Sequence, residues 1–271
     1  MTTSTSTSRT IDLPAATITL DEYGTNTDGS AVLLLHGGAG PRTVAGLGTA
    51  LAPHAYVIAP THPGFDGTPR PEHLDTIADL ASTYLDLLDT LDLSRVLVIG
   101  NSIGGWIAGE MALRDNHRRL GALVLLNAVG IAPDNDTQLV DVRAIAPADI
   151  SLLSFANPAY RPGFASFTDA QRAGMAANQK TLATYAGDTF THDPKLRDRL
   201  HRVALPVLVA WGQQDGVATA DYGRTYADAF PNGHYALIAD AAHFPHIEQP
   251  DATLTAIGDF VDTVVKPGET A

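Results

Sequence analysis

The sequence predicts an α/β fold: a doubly wound, mostly parallel β-sheet with helices on both faces and one inserted helical segment. Three observations predict it. Short apolar runs recur along the chain, amphipathic stretches at helical spacing separate them, and one long interval breaks the rhythm. The 271 residues suit one α/β domain with an insertion, and a hydrophobic share of 45% is enough to fill a large core.

The apolar runs are AVLLL at Ala31 to Leu35, AYVIA at Ala55 to Ala59, RVLVI at Arg95 to Ile99, ALVLL at Ala122 to Leu126, LPVLVA at Leu205 to Ala210 and YALIA at Tyr235 to Ala239. Rich in Val, Ile and Leu and without strict alternation, they read as strands buried on both faces, as a covered parallel sheet requires. Between the second and third runs, Ile77, Leu80, Ala81, Tyr84, Leu88 and Leu91 recur at helical spacing, with Asp79, Asp86 and Asp89 largely on the other side. After the last run, Leu254, Ile257, Val261 and Val264 repeat the pattern behind Pro250, a residue suited to opening a helix. Strands alternating with helices imply right-handed crossovers, which bring functional groups to the carboxyl ends of the strands. The alternating segment Thr17 to Glu22 reads as an antiparallel edge strand.

From about Ala132 to Leu200 no buried-strand run occurs, and Pro133, Pro147, Pro158, Pro162 and Pro194 punctuate the chain. Residues 132–200 therefore read as a helical cap inserted into a core formed by residues 11–131 and 201–271. Tyr160, Phe164, Phe167, Met175 and Tyr185 give it the apolar mass to roof a pocket. The first ten residues, MTTSTSTSRT, carry no apolar stretch and read as a disordered tail. With no signal peptide and no run long enough to span a bilayer, the expectation is a cytoplasmic protein without membrane association.

Composition excludes several kinds of function. The net charge of -13 repels phosphates, and the 17 Lys and Arg residues form no run, which argues against a nucleic-acid partner. The absence of cysteine removes thiolate metal sites, iron–sulfur ligation and a cysteine nucleophile.

Chemistry-bearing residues follow several of the strands. In RVLVIGNSIGG, Ser102 stands directly after a strand and before a helical segment at Ile103 to Leu113. A nucleophile on such a turn sits in strained backbone, and Gly100 and Gly104 leave room where strand and helix crowd. The Ile103 N–H and the positive end of the helix dipole then face the place where an oxyanion would form. A serine that merely caps the helix is the plainer alternative. In LLLHGGAG, a glycine turn ends another strand; Gly38 is the second expected oxyanion donor, and His36 shapes the turn.

A serine hydroxyl needs a base of matched pKa, and His243 follows the last strand, just ahead of the closing helix. His246, three residues on, is the competing candidate. As a metal pair the two histidines lack a helical platform, because Pro245 separates them, and an obvious third ligand. The base also needs a carboxylate on its far nitrogen. Asp215 ends LPVLVAWGQQD, past the penultimate strand; Asp240 is the other candidate, awkwardly close to His243.

With these residues in place, the chain resembles the α/β-hydrolase superfamily from about Ile18 to Val265. LLLHGG resembles the family's oxyanion turn, APTHPGFDGTPRP its loop after the next strand, GNSIGGW its nucleophile elbow, and WGQQD and AHFPHIEQP its acid and histidine loops. The chain is most similar to small lidded bacterial carboxylesterases and to C–C bond hydrolases of ring-fission products. Ala242 departs from the usual glycine before the histidine, and Phe244 stands where the C–C hydrolases often carry tryptophan, which favours the esterases. A serine rather than an aspartate nucleophile argues against dehalogenase or epoxide hydrolase chemistry.

The expectation is therefore a serine hydrolase that cleaves a carboxylic ester of a small or medium apolar molecule through an acyl-enzyme, with no cofactor and no metal. Ser102, Asp215 and His243 form its triad, and the N–H groups of Gly38 and Ile103 its oxyanion hole. Trp106 and Phe244 are candidate substrate contacts, although a buried aromatic at Trp106 is better accounted for by packing its helix on the sheet. The alternatives are a C–C hydrolase of vinylogous diketones, and a lyase, cyclase or ligand-binding protein on the same fold.

Overall fold

The computed structural model describes residues 6–26 and 31–265. Its strands are β1 (Thr7–Asp12), β2 (Thr17–Tyr23), β3 (Ala31–Leu35), β4 (Tyr56–Pro60), β5 (Val96–Asn101), β6 (Leu120–Leu126), β7 (Gly130–Ile131), β8 (His192–Asp193), β9 (Val207–Gly212) and β10 (Gly233–Ile238). The helices are α1 (Ala45–Leu51), α2 (Ile77–Thr90), α3 (Ile103–Arg114), α4 (Pro147–Ser154), α5 (Asp169–Ala186), α6 (Arg197–Leu200), α7 (Ala220–Asp228), α8 (Pro245–Glu248) and α9 (Pro250–Phe260). Eight strands form one sheet in the order β1-β2-β4-β3-β5-β6-β9-β10, parallel from β4 to β10.

The apolar runs do not alternate because both sheet faces are covered. Leu33 and Leu35 of β3 and Leu123 and Leu125 of β6 face a cluster built with α2, α3 and α7. Their neighbours Val32, Leu34, Val124 and Leu126 face a second cluster built with α1 and α9. The sheet is therefore doubly wound. Helix α2 starts at Thr76, whose hydroxyl accepts the Asp79 N–H while Asp79 returns a carboxylate to the Thr76 N–H, so two otherwise orphaned donors are satisfied.

The amino-terminal end differs from the expectation. Residues 7–10, read as tail, form most of edge strand β1, which pairs antiparallel with β2; residues 1–5 lie outside the described residues. β2 is accordingly an interior strand, antiparallel to both β1 and β4. Hydropathy gives no sign of β1 because Ile11 alone of its residues is buried. Ladder bonds and a bidentate Arg9–Glu22 pair at 2.8 and 2.9 Å hold it instead.

The segment between β6 and β9 carries the helices α4, α5 and α6 and the small parallel pair β7–β8. Tyr185 is buried, whereas Tyr160 is exposed and Phe164, Phe167 and Met175 are half-buried. The chain order reverses at β3, which lies between β4 and β5. The connection after β3 runs through α1 on one face, and that after β5 through α3 on the other. Such a switch point opens a crevice at the carboxyl ends of the two strands.

The Tyr222 hydroxyl ties α7 to β7, accepting the Ile131 N–H at 3.0 Å and donating to the Ile131 carbonyl at 2.8 Å. Tyr222→Phe strands both groups in a buried site, with an expected cost of about 1–3 kcal/mol. A denaturant midpoint equal to that of the wild type would contradict this role.

Candidate active site

Ser102 sits between β5 and α3 with φ 56° and ψ -119°, a conformation costing a non-glycine residue on the order of 1–3 kcal/mol. Backbone bonds hold it there: its N–H donates to Leu126 O at 3.1 Å, and its carbonyl accepts from Gly105 at 3.0 Å and Val129 at 3.2 Å. The glycines around it are fixed by contact. A Cβ on Gly100 would lie 2.3 Å from the Gly104 carbonyl, and one on Gly104 would lie 2.3 Å from Leu35 O. Ser102 itself is half-buried.

Asp215 and His243, from the loops after β9 and β10, meet with Nδ1 of the histidine 2.9 Å from Oδ2 of the aspartate. Both side chains are almost wholly buried. Asp215 Oδ1 accepts the N–H groups of Val217 at 2.8 Å and Ala218 at 3.2 Å, and Oδ2 also accepts Asn127 Nδ2 at 2.7 Å. Four donors thus hold the Asp215 side chain in one orientation. An acceptor on Nδ1 puts the His243 proton there and leaves Nε2 free to accept one. Asn101, the residue before Ser102, donates to His243 O at 3.1 Å and so ties the histidine loop to the serine turn.

Beyond β3 the glycine turn lies against the same serine: a Cβ on Gly37 would fall 3.0 Å from Ser102 Cβ. Among the described residues, neither Gly38 N–H nor Ile103 N–H donates to a backbone or side-chain acceptor, which leaves two donors beside Ser102. His36 is fully buried and bonds Gly37 O through Nδ1 at 2.7 Å.

The competing histidine and acid candidates fall elsewhere. His246 bonds Thr43 O through Nε2 at 3.0 Å and not Asp215, and Asp240 is exposed. Trp106 is buried, and its side chain lies against Gly130 of β7. Phe244 is wedged between Phe155, stacked at 5.0 Å, and the edge-on His243 ring at 5.3 Å.

Three residues that the sequence reading passed over support the pair. Asn127 joins Asp215 to the Gly212 N–H at the end of β9. Asn101 holds the His243 carbonyl against the serine turn. The buried Glu248 carboxylate accepts Ala242 N–H at 2.7 Å and Asn157 N–H at 2.8 Å, linking the histidine loop to the segment after α4. Position was the available signal for Asn127, which directly follows the apolar run of β6.

Helices α4 and α5 flank the site. Ser154 O accepts His243 N–H at 3.0 Å, and Leu153 O accepts Gly216 N–H at 2.9 Å. Leu182 of α5 lies where a Cβ on Gly38 would be, 2.6 Å from its Cδ2. Asn178, Thr181 and Tyr185 of α5 bond Asp66, Gly64 O and Pro63 O in the loop after β4. Two surface cavities of about 390 and 380 Å³ lie apart from the Ser102, Asp215 and His243 side chains. One is lined by Asp86, Asp89, Arg114 and His117, the other by Arg42, Leu47, His246 and Leu254. Among the described residues no His, Asp and Glu group is placed to hold a metal ion, and no helix is long and apolar enough to cross a membrane.

Residues 32–256 match the family model described as the alpha/beta hydrolase family. A 2-hydroxy-6-oxo-2,4-heptadienoate hydrolase of Pseudomonas putida is 28% identical, over 86% of this chain and 89% of its own. Among solved structures, an esterase from Exiguobacterium antarcticum superposes with a TM-score of 0.76 at 17% identity, covering 94% of this chain and 100% of that one. A meta-cleavage product hydrolase superposes with a TM-score of 0.74 at 20% identity, covering 94% and 98%. At such identities the two structures report the shared fold.

Burial lowers the pKa of His36 and of His246 from 6.5 to about 4 and that of His62 well below its ordinary value, so all three rings are neutral in the fold. Unfolded, they take up protons near pH 6.5. Between that pH and about 4 the unfolded chain binds more protons, and stability falls as pH falls, by on the order of 3 kcal/mol for each ring shifted to about 4. Above about pH 7 both states are neutral and these rings contribute no slope. Denaturant midpoints should therefore be level above about pH 7 and drop between about 6.5 and 4.5, before most carboxylates titrate. A midpoint constant across that window would contradict the neutral-histidine arrangement.

Proposed function

The chain belongs to the alpha/beta hydrolase family and acts as a hydrolase, and from that premise we propose that it cleaves carboxylic esters of small or medium apolar molecules through an acyl-enzyme on Ser102. One observation carries the proposal: a buried His243–Asp215 pair tied through Asn101 to a serine in strained backbone at a strand-to-helix turn.

In this reaction Ser102 Oγ attacks the ester carbonyl carbon while His243 Nε2 takes the hydroxyl proton. The carbonyl oxygen becomes an oxyanion and receives the N–H groups of Gly38 and Ile103, with the amino-terminal end of α3 adding its positive dipole. Asp215 stabilises the imidazolium through its bond to Nδ1. As the tetrahedral intermediate collapses, the carbon–oxygen bond to the alcohol breaks and His243 returns the proton to the leaving oxygen. Water then loses a proton to His243, attacks the acyl carbon, and Ser102 departs with that proton. Side chains, backbone donors and water suffice for every step.

Residues 132–200 act as the cap in this reading, supported by the bonds of α4 to the acid and histidine loops and by Leu182 of α5 over Gly38. An apolar side chain at the oxyanion turn and the acidic surface favour uncharged substrates. The similarity to the Pseudomonas hydrolase supports a second reading, C–C cleavage of a vinylogous diketone by the same serine.

Nitrophenyl esters of graded acyl length test the proposal. The wild type should turn over short and medium esters, with a preference that falls as the chain lengthens, and Ser102→Ala should lose roughly 10⁴-fold or more in kcat. Equal turnover by Ser102→Ala would sink the proposal, and turnover of a dienoate without turnover of esters would favour the second reading.

A further inference from the structure

His36, His62 and the Tyr84 hydroxyl take no step in the reaction above, yet they are joined by hydrogen bonds to the peptide that presents Gly38 N–H. We propose that Tyr84 and His62 are positioning residues for the oxyanion donor, acting through His36 and the plane of the Gly37–Gly38 peptide. The inference rests on the acyl-transfer reading, which makes Gly38 N–H a donor to the oxyanion.

Proton positions in this cluster follow from its partners. His62 Nε2 lies 2.9 Å from His36 O, which can only accept, so Nε2 carries the His62 proton. Nδ1 of that ring is then an acceptor and receives the Tyr84 hydroxyl at 2.5 Å. The His62 backbone N–H donates to His36 Nε2 at 3.0 Å, so the His36 proton resides on Nδ1 and donates to Gly37 O at 2.7 Å. With both rings neutral, this assignment satisfies all four ring nitrogens. The two ring centroids lie 3.7 Å apart with the planes tilted by 30°, both rings pack edge-on against Phe65, and they are fully buried together with Tyr84, so no bulk water competes for these bonds.

The consequence lies in the geometry of one peptide. In a trans peptide the carbonyl of one residue and the N–H of the next point in opposite directions within a single plane. Gly37 O receives two donors, His36 Nδ1–H at 2.7 Å and Gly40 N–H at 3.1 Å, which fix the rotation of that plane and so aim Gly38 N–H. Glycines on both sides leave the plane free to turn unless something holds it. The same bonds draw charge toward the carbonyl and make the N–H a stronger donor. Tyr84 and His62 select the tautomer and orientation of His36, as an outer partner orients a catalytic histidine.

Tyr84→Phe removes one oxygen and keeps the ring, leaving His62 Nδ1 without its donor. Misaiming an oxyanion donor weakens transition-state binding more than substrate binding. For Tyr84→Phe, kcat on a nitrophenyl ester should fall roughly ten-fold with KM within about two-fold, and a trifluoromethyl ketone inhibitor should lose affinity by the same factor. His62→Phe should lower kcat at least as far. Counting sites by end-point fluorophosphonate titration keeps misfolded molecules out of the rates. Unchanged kcat per titrated site and unchanged inhibitor affinity in both variants would overturn the inference. A wild type that neither turns over esters nor takes up the fluorophosphonate would instead remove the acyl-transfer reading. Imidazole nitrogen-15 spectra supply a readout independent of turnover: protons on His36 Nδ1 and His62 Nε2 are expected from about pH 8 to 5, and the opposite tautomer at either ring would overturn the relay.

Discussion

Everything at the site depends on a close approach between the helix after β5 and the strand end of β3. Gly104 touches the Leu35 and His36 carbonyls so tightly that a single methyl group would collide with them. That contact permits α3 to start immediately above the sheet, and the chain makes the turn with Ser102 at positive φ. Strain at one residue, on the order of 1–3 kcal/mol, is offset by backbone bonds to Leu126, Gly105 and Val129. The turn also brings the N–H of Ile103 next to the glycine turn after β3, so two neighbouring strands of the switch point supply the two donors that have no acceptor among the described residues.

The polar groups around this turn form two systems of opposite character. On one side the Asp215 side chain is held by bonds from Val217, Ala218, Asn127 and His243, and it fixes the imidazole at Nδ1. On the other, His36 and His62 are sealed from water and kept neutral by burial, with each nitrogen matched to one partner. A charged ring at His36 would need a second acceptor where the His62 N–H now donates. The first system accommodates a moving proton, and the second fixes proton positions and with them backbone direction.

The sheet was legible in sequence where burial on both faces wrote long apolar runs, and each of the six runs is a strand within a residue or two of its expected bounds. Strand β1 was not legible, because its stability resides in ladder bonds and the Arg9–Glu22 pair rather than in buried side chains. Similarly, Asp215 and His243 were readable from their places after strands, and the structure brings those two together. Asn127, Asn101 and Glu248 were not, since each has a distant partner, 88, 142 and 91 residues away, and an amide or carboxylate carries no periodic signal. The Leu182 contact with Gly38 depends on how α5 docks, which no local pattern encodes.

Whether this turn makes Ser102 a nucleophile served by His243 is tested by locating a fluorophosphonate adduct by peptide mass spectrometry and following its rate of formation. One adduct per chain, on Ser102, forming at least about a hundred-fold more slowly in His243→Ala, is the expected result. An adduct on another residue, or labelling of Ser102 at the same rate without His243, would contradict it.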